Sequence, residues 1–281
     1  MKFGYIVTAG EPRTIADLAA EAEESGWDGV FYYDAIAIGD DPMHDPWVVM
    51  TAMAMRTERV RIGAILTPPA RRRPWKLARE AMSLDRVSGG RLVLPVGLGV
   101  TDDAGFGNVG EPTDNRIRGE LLDESLEILA GLWSGEPFAF EGRHYRFGPM
   151  TFRPPPVQRP RIPIWVAASW RYPKSISRAV RWDGVLPQTD DPETIRQIVE
   201  FARQSGREGI GPGGWDVVVD GKSRPGDARA VARVKELARA GATWWVEADW
   251  EHRSVDSMRA RIAAGPPKVA AKDVATTAST R

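Results

Sequence analysis

A short apolar run followed by an amphipathic helical segment recurs eight times along this chain, and no other feature limits the fold as much. The runs are KFGYIV (2–7), DGVFYY (28–33), VRIGAIL (60–66), RLVLPV (91–96), PIWVAA (163–168), DGVLPQ (183–188), WDVVV (215–219) and TWWVEA (243–248). Strands so uniformly apolar suit a parallel sheet covered on both faces. Eight β/α units therefore predict a closed (β/α)8 TIM barrel rather than an open sheet. The helices carry their own start and stop signals. Asp45-Pro46 and Asp191-Pro192 each join a capping acid to a proline at the first helical position. Ile195, Ile198, Val199 and Ala202 make one apolar stripe, which Gly206 ends.

Two segments stand outside this scheme. FAFEGRHYRF (138–147) alternates apolar and polar residues around Glu141-Gly142, which predicts a hairpin between units four and five. The barrel is expected to fill residues 1–264. Residues 265–281 have no periodicity and read as a flexible tail. A weak repeat, WDGV at 27–30 and again at 182–185, carries a helix into a strand each time.

Composition removes several functions. Basic and acidic residues balance at 38 each, so no general affinity for nucleic acid or membrane is expected. Cysteine is absent, which excludes disulfides, thiolate metal sites and a cysteine nucleophile. His44, His144 and His252 lack metal-ligand spacing, so no metal site is expected. No G-x-S-x-G elbow occurs. With no secretory or transmembrane run, a cytoplasmic protein is expected.

The glycine pair in LPVGLGV (94–100) raises a dinucleotide loop as one option, but Asp102 stands where the third glycine belongs and the next helix waits until about residue 116. In a barrel, Gly97 and Gly99 fall at the C-terminal rim. There they either admit a flat ligand close to backbone or relieve crowding. Glu247 and Asp249, at the end of the last strand, are acid/base candidates or salt-bridge partners of a loop arginine. His44 either reaches the mouth or is a plain loop histidine. Arg71-Arg72-Arg73 could meet an anionic group, or pair with Glu80 and Asp85.

Several motifs in register carry a family resemblance: GWDGVFYYD (26–34), DPW (45–47), ILTPPARRRPWKLAREAMSLDRVSGGRLVLPVGLG (65–99), RGELLDESLEILAGLWSG (118–135), PPPVQRPRIPIWVA (154–167) and RWDGV (181–185). Together they resemble the luciferase-like superfamily of flavin- and F420-dependent oxidoreductases. The resemblance implies FMN, or alternatively coenzyme F420, at the C-terminal mouth. It places Asp34 and Thr67 near the cofactor and a cis peptide at Ala64–Ile65 under its ring. Gly97 and Gly99 stand beside it, and Ala167, Ala168, Ser169 and Trp170 form the loop that receives the phosphate.

With FMN the implied chemistry is monooxygenation of a small organic substrate by reduced flavin and O2, fed by a separate flavin reductase. With F420 it is hydride transfer. A homodimer is the implied assembly, and a non-catalytic supporting subunit is the remaining alternative. Asp34, Glu247 and His44 are the catalytic candidates. Ala35 and Val100 replace the histidine and glutamate that relatives often carry, so no acid/base role transfers to those two positions.

Overall fold

The structure, a computed structural model, describes residues 1–207, 209–210, 214–251 and 253–269. His252 and positions 270–281 of the expected tail lie outside the described residues. The strands are β1 (Lys2–Ile6), β2 (Gly29–Tyr32), β3 (Arg61–Ala64), β4 (Leu94–Val96), β5 (Phe138–Glu141), β6 (Arg146–Met150), β7 (Ile164–Ala167), β8 (Gly184–Leu186), β9 (Asp216–Gly221) and β10 (Trp244–Glu247). The helices are α1 (Pro12–Glu24), α2 (Pro46–Arg56), α3 (Pro74–Val87), α4 (Asn115–Trp133), α5 (Pro173–Ala179), α6 (Pro192–Gln204), α7 (Ala228–Ala240) and α8 (Val255–Ala263).

Eight parallel strands run in the order β3-β2-β1-β10-β9-β8-β7-β4. Single bridges, Ile62 to Leu92 and Thr67 to Val96, draw β3 and β4 together and nearly close the barrel. β4 is shorter than the expected run 91–96. Pro95 has no amide hydrogen to give, and the ladder there reduces to isolated bonds. The expected hairpin is β5 and β6, antiparallel, with its second strand reaching Met150. Glu124 of α4 holds its turn by accepting the amides of Arg143, His144 and Tyr145.

The expected helix starts hold. Asp45 accepts the amides of Trp47 and Val48, and Asp191 accepts that of Thr194. α7 begins at Ala228 because Asp227 caps it, two residues past Gly226. No helix among the described residues is long and apolar enough to cross a membrane.

Side chains inside the barrel form their own core. Phe31, Trp165 and Trp244 meet there at centroid distances of 5.3 to 6.1 Å, with Ile6, Val93, Leu186, Val218 and Val246 around them. Rings this large need space on neighbouring strands. A Cβ on Gly184 would lie 2.6 Å from Trp165 Cδ1, and one on Gly4 would lie 2.6 Å from Phe31 Cε2. Asp216 closes the floor, accepting from Trp165 Nε1 at 3.2 Å and from Thr243 Oγ1 at 2.9 Å. Burial raises its pKa despite those bonds.

The repeated WDG tripeptide has a physical basis. Asp28 accepts the amide of Phe3 at 2.8 Å, and Asp183 accepts that of Ile164 at 2.9 Å. In each case the carboxylate pins the start of the preceding strand. Each following glycine then clears a ring inside the barrel, and each preceding tryptophan is buried outside it.

Gly184→Ala should therefore lose about 1–3 kcal/mol of stability through overpacking. Urea unfolding of the variant checks this. A change within experimental error would show that Trp165 and the Asp216 carbonyl yield freely.

Candidate active site at the barrel mouth

The inward faces of the strands end in small or apolar residues. Ile65 after β3, Ala167 of β7 and Ala248 after β10 top the inner core. Gly97 joins them, since a Cβ there would meet Leu66 Cδ2 at 2.8 Å and Ala167 Cβ at 3.0 Å. Gly99 has φ 77°, and its Cβ would strike Phe106 and Pro68 at 2.8 and 2.9 Å. A side chain at either position would meet these neighbours, and the positive φ of Gly99 favours glycine there as well. The cis peptide is Ile65–Leu66, one bond later than the expected Ala64–Ile65. Ala64 is buried on the outward face, and the amide of Ile65 donates to Tyr32 O at 2.9 Å.

A buried ionic cluster ties three rim loops together. Asp34 lies two residues past β2, and its side chain is fully buried. Its Oδ1 accepts from Arg71 Nη2 at 2.9 Å, and its Oδ2 from Arg72 Nη2 at 2.9 Å. Arg71 also pairs with Asp103, whose Oδ1 and Oδ2 take the amides of Ala37, Gly105 and Ile36 at 2.9 Å. Arg71 and Arg72 therefore pair with Asp34 and Asp103, not with Glu80 or Asp85. The ring of Phe106 lies 5.1 Å from the Arg71 guanidinium and 5.2 Å from that of Arg118. Arg118 donates onward to the carbonyls of Leu98 and Gly99.

Other expected residues scatter. His44 is a rim residue 3.7 Å from Glu11, away from the ionic cluster. Glu247 is turned outward from the barrel. It accepts from the Ser223 amide at 2.6 Å, Ser223 Oγ at 2.5 Å and Arg261 Nη2 at 2.9 Å. Its partner arginine belongs to α8 rather than to a loop. Asp249 pairs with Lys222 at 2.8 Å. Thr67 is fully buried, and its Oγ1 has no partner among the described residues. Ala168 is buried facing outward. The amide of Ser169 donates to Ser175 Oγ at 3.1 Å, while Trp170 packs edge-on against Phe201 of α6. Among the described residues no group of three potential ligands is placed to hold a metal.

Sequence reasoning missed three parts of this rim. Asp103 was not singled out, because nothing local in TDDAGF announces a pair with Arg71. Tyr33, Trp250 and Arg253 form an aromatic wall: Trp250 is 5.7 Å from Tyr33, and Arg253 Nη2 is 3.3 Å from its hydroxyl. Asp220 was missed because the seventh strand was read as ending at 219. The period-two series Asp216, Val218, Asp220 was the available signal.

A profile of luciferase-like monooxygenases matches residues 1–277. The chain belongs to that family. It is 34% identical over 177 residues to an F420-dependent glucose-6-phosphate dehydrogenase of Nakamurella multipartita, covering 60% of this chain and 51% of that one. It is 29% identical over 211 residues to an FMNH2-dependent dimethylsulfone monooxygenase of Pseudomonas putida, covering 67% and 56%. The luciferase-like chain thus spans a little over half the length of these relatives. The F420-dependent tetrahydromethanopterin reductase of Methanopyrus kandleri shares the fold, with TM-score 0.74 and 19% identity over 94% of this chain and 96% of that one.

The cluster gives this luciferase-like chain a specific acid response. Burial tends to raise the pKa of Asp103, but the three amides and Arg71 outweigh it and hold the carboxyl at about 2. A carboxyl depressed in the folded state adds stability above its unfolded pKa, near 3.9, and that stability is lost as pH falls through about 2. Asp103→Asn should cost about 3 kcal/mol at neutral pH. The gap from wild type should narrow between pH 4 and 2, as read by urea unfolding across that range. A gap independent of pH would count against an ionised Asp103.

Proposed function

We propose that this chain is an oxidoreductase that binds a reduced flavin, FMN, at the C-terminal mouth and oxygenates a small organic substrate with O2. The observation that carries the reading is the basin itself. Ile65, Gly97, Ala167 and Ala248 make a small, apolar surface above a barrel filled by three aromatic rings. Such a floor fits a planar ring and excludes water beneath it. The unpartnered Thr67 Oγ1 adds one buried polar atom at this end of β3. Beside the basin, Ser169 and the exposed Arg171 and Lys174 offer donors for an anionic tail. The bound flavin would supply the reducing equivalents and the site of oxygen activation. The chain's own residues would orient the substrate and keep the floor dry, and Asp34, held by Arg71 and Arg72, would fix the loop after β2.

F420-dependent hydride transfer is the second reading, favoured by the 34% identity to an F420-dependent dehydrogenase. In the FMN reading a separate reductase supplies the reduced flavin. We place the protein in the cytoplasm as a homodimer.

Parallel equilibrium titration with FMN and F420, each oxidised and reduced, tests these readings. Tight binding of reduced FMN supports the first, and tight F420 binding moves the second ahead. No binding at micromolar concentration overturns both in favour of a supporting subunit. Ser169→Asp should weaken the bound cofactor by about tenfold, because it sets a carboxylate against the anionic tail. An unchanged affinity would remove the 167–170 loop from the site.

A further inference from the structure

Five acidic side chains at this end of the barrel are neutralised within the fold. Arg71 and Arg72 hold Asp34, Arg71 holds Asp103, Arg253 holds Asp41, Arg261 holds Glu247 and Lys222 holds Asp249. Asp220 differs from all of them. It lies opposite Val246 in the ladder between β9 and β10, and Val246 is part of the inner core. It also stands two residues beyond Val218, another inner-core residue. Both relations turn Asp220 into the barrel, one layer above the packed rings. The barrel wall surrounds its carboxyl on most sides, and the residue is open to water at the mouth. No other described side chain donates to it or pairs with it.

A second feature accompanies it. Gln188, two residues beyond inward-facing Leu186 of β8, has φ 48° and is the single non-glycine residue of positive φ among the described ones. A left-handed glutamine costs about 1 kcal/mol, and such residues persist where the surroundings hold them. β8 and β9 are neighbours in the barrel, with Val185 opposite Val217, so the loop that carries Gln188 leaves the strand next to that of Asp220. A carboxylate thus edges an otherwise apolar basin, and the loop after the neighbouring strand carries a carboxamide.

We propose that Asp220 is the proton-exchanging residue of the mouth, selecting a substrate that presents an O–H or N–H donor. The inference rests on the mouth being the active site of the oxidoreductase proposed above. The step is a proton exchange only. The carboxylate takes one proton from the donor group, becomes the neutral acid, and returns that proton to product or water. No electrons pass through it.

Surrounding groups favour this use. Burial by the barrel wall raises the pKa of Asp220, its own amide opposes that, and Asp190 after β8 raises it further. Asp190 itself lies 3.5 Å from Arg233. On β10 the facing residues are Val246 and Ala248, with no charge. Lys222, two positions along from Asp220, is bound to Asp249 and Glu251. An anionic substrate group would meet repulsion here, and a donor would find an open acceptor.

Carbon-13 NMR of the full chain labelled at aspartate Cγ tests the assignment, with the resonance missing from Asp220→Asn identifying the residue. We expect it to titrate above the ordinary aspartate value of about 3.9. Benzylamine, benzyl alcohol and benzoate then serve as probes. Amine and alcohol should bind wild type at least about tenfold more tightly than benzoate, and Asp220→Asn should abolish that preference. A titration at or below the ordinary value, or the same ranking in both proteins, overturns the proposal.

Asp220→Asn should melt no lower than wild type at pH 7. A carboxyl with a raised folded-state pKa weakens the fold once ionised, so its removal does no harm. Cofactor titration separates this proposal from the one before it. If FMN and F420 both fail to bind wild type, the oxidoreductase reading falls whatever Asp220 does. If a cofactor binds and Asp220 titrates normally, only the present inference falls.

Discussion

The packing of Phe31, Trp165 and Trp244 inside the barrel is the constraint on which the rest of this structure depends. Three large rings fill a space that aliphatic side chains occupy in many barrels. Their presence dictates glycine at positions 4 and 184, and it engages Asp216 at the floor through the Trp165 indole. A solid interior also decides what the mouth can be. With three packed rings beneath it, the rim draws its chemistry from loops and strand ends.

Those loops are held electrostatically. Arg71 joins Asp34 and Asp103, which come from the ends of different β/α units, and the Phe106 ring lies against the guanidiniums of both Arg71 and Arg118. Buried charges are costly to desolvate, and this cluster offsets that with ion pairs and backbone amides at nearly every oxygen. The carboxylates in it are therefore poor candidates for proton transfer. They join the loops after β2, β3 and β4.

Much of the barrel was legible in the sequence, because strand burial and helix capping are local. The Asp-Pro helix starts at 45–46 and 191–192 and the hairpin near Glu141-Gly142 needed no tertiary knowledge. The site was legible less evenly. Glu247 seemed aimed at the mouth, but a one-residue step along a strand reverses the face, and Glu247 lies outward while Val246 lies inward. Arg71 and Asp103 are 32 residues apart, and no local pattern joins them. Gly97 and Gly99 also face Leu66 and Phe106, a packing relation that the spacing of the two glycines does not reveal.

The repeated joint has a consequence in terms of symmetry. Asp28 opens the second strand of the ring and Asp183 the sixth, each bonded to the start of the strand before it. Second and sixth are four units apart in a ring of eight, so a half-turn about the barrel axis brings one joint onto the other. The β5–β6 hairpin inserts between the fourth and fifth units, at the seam between those halves. The two matching joints thus stand on opposite sides of the barrel, and the hairpin leaves the ring between the units that carry them.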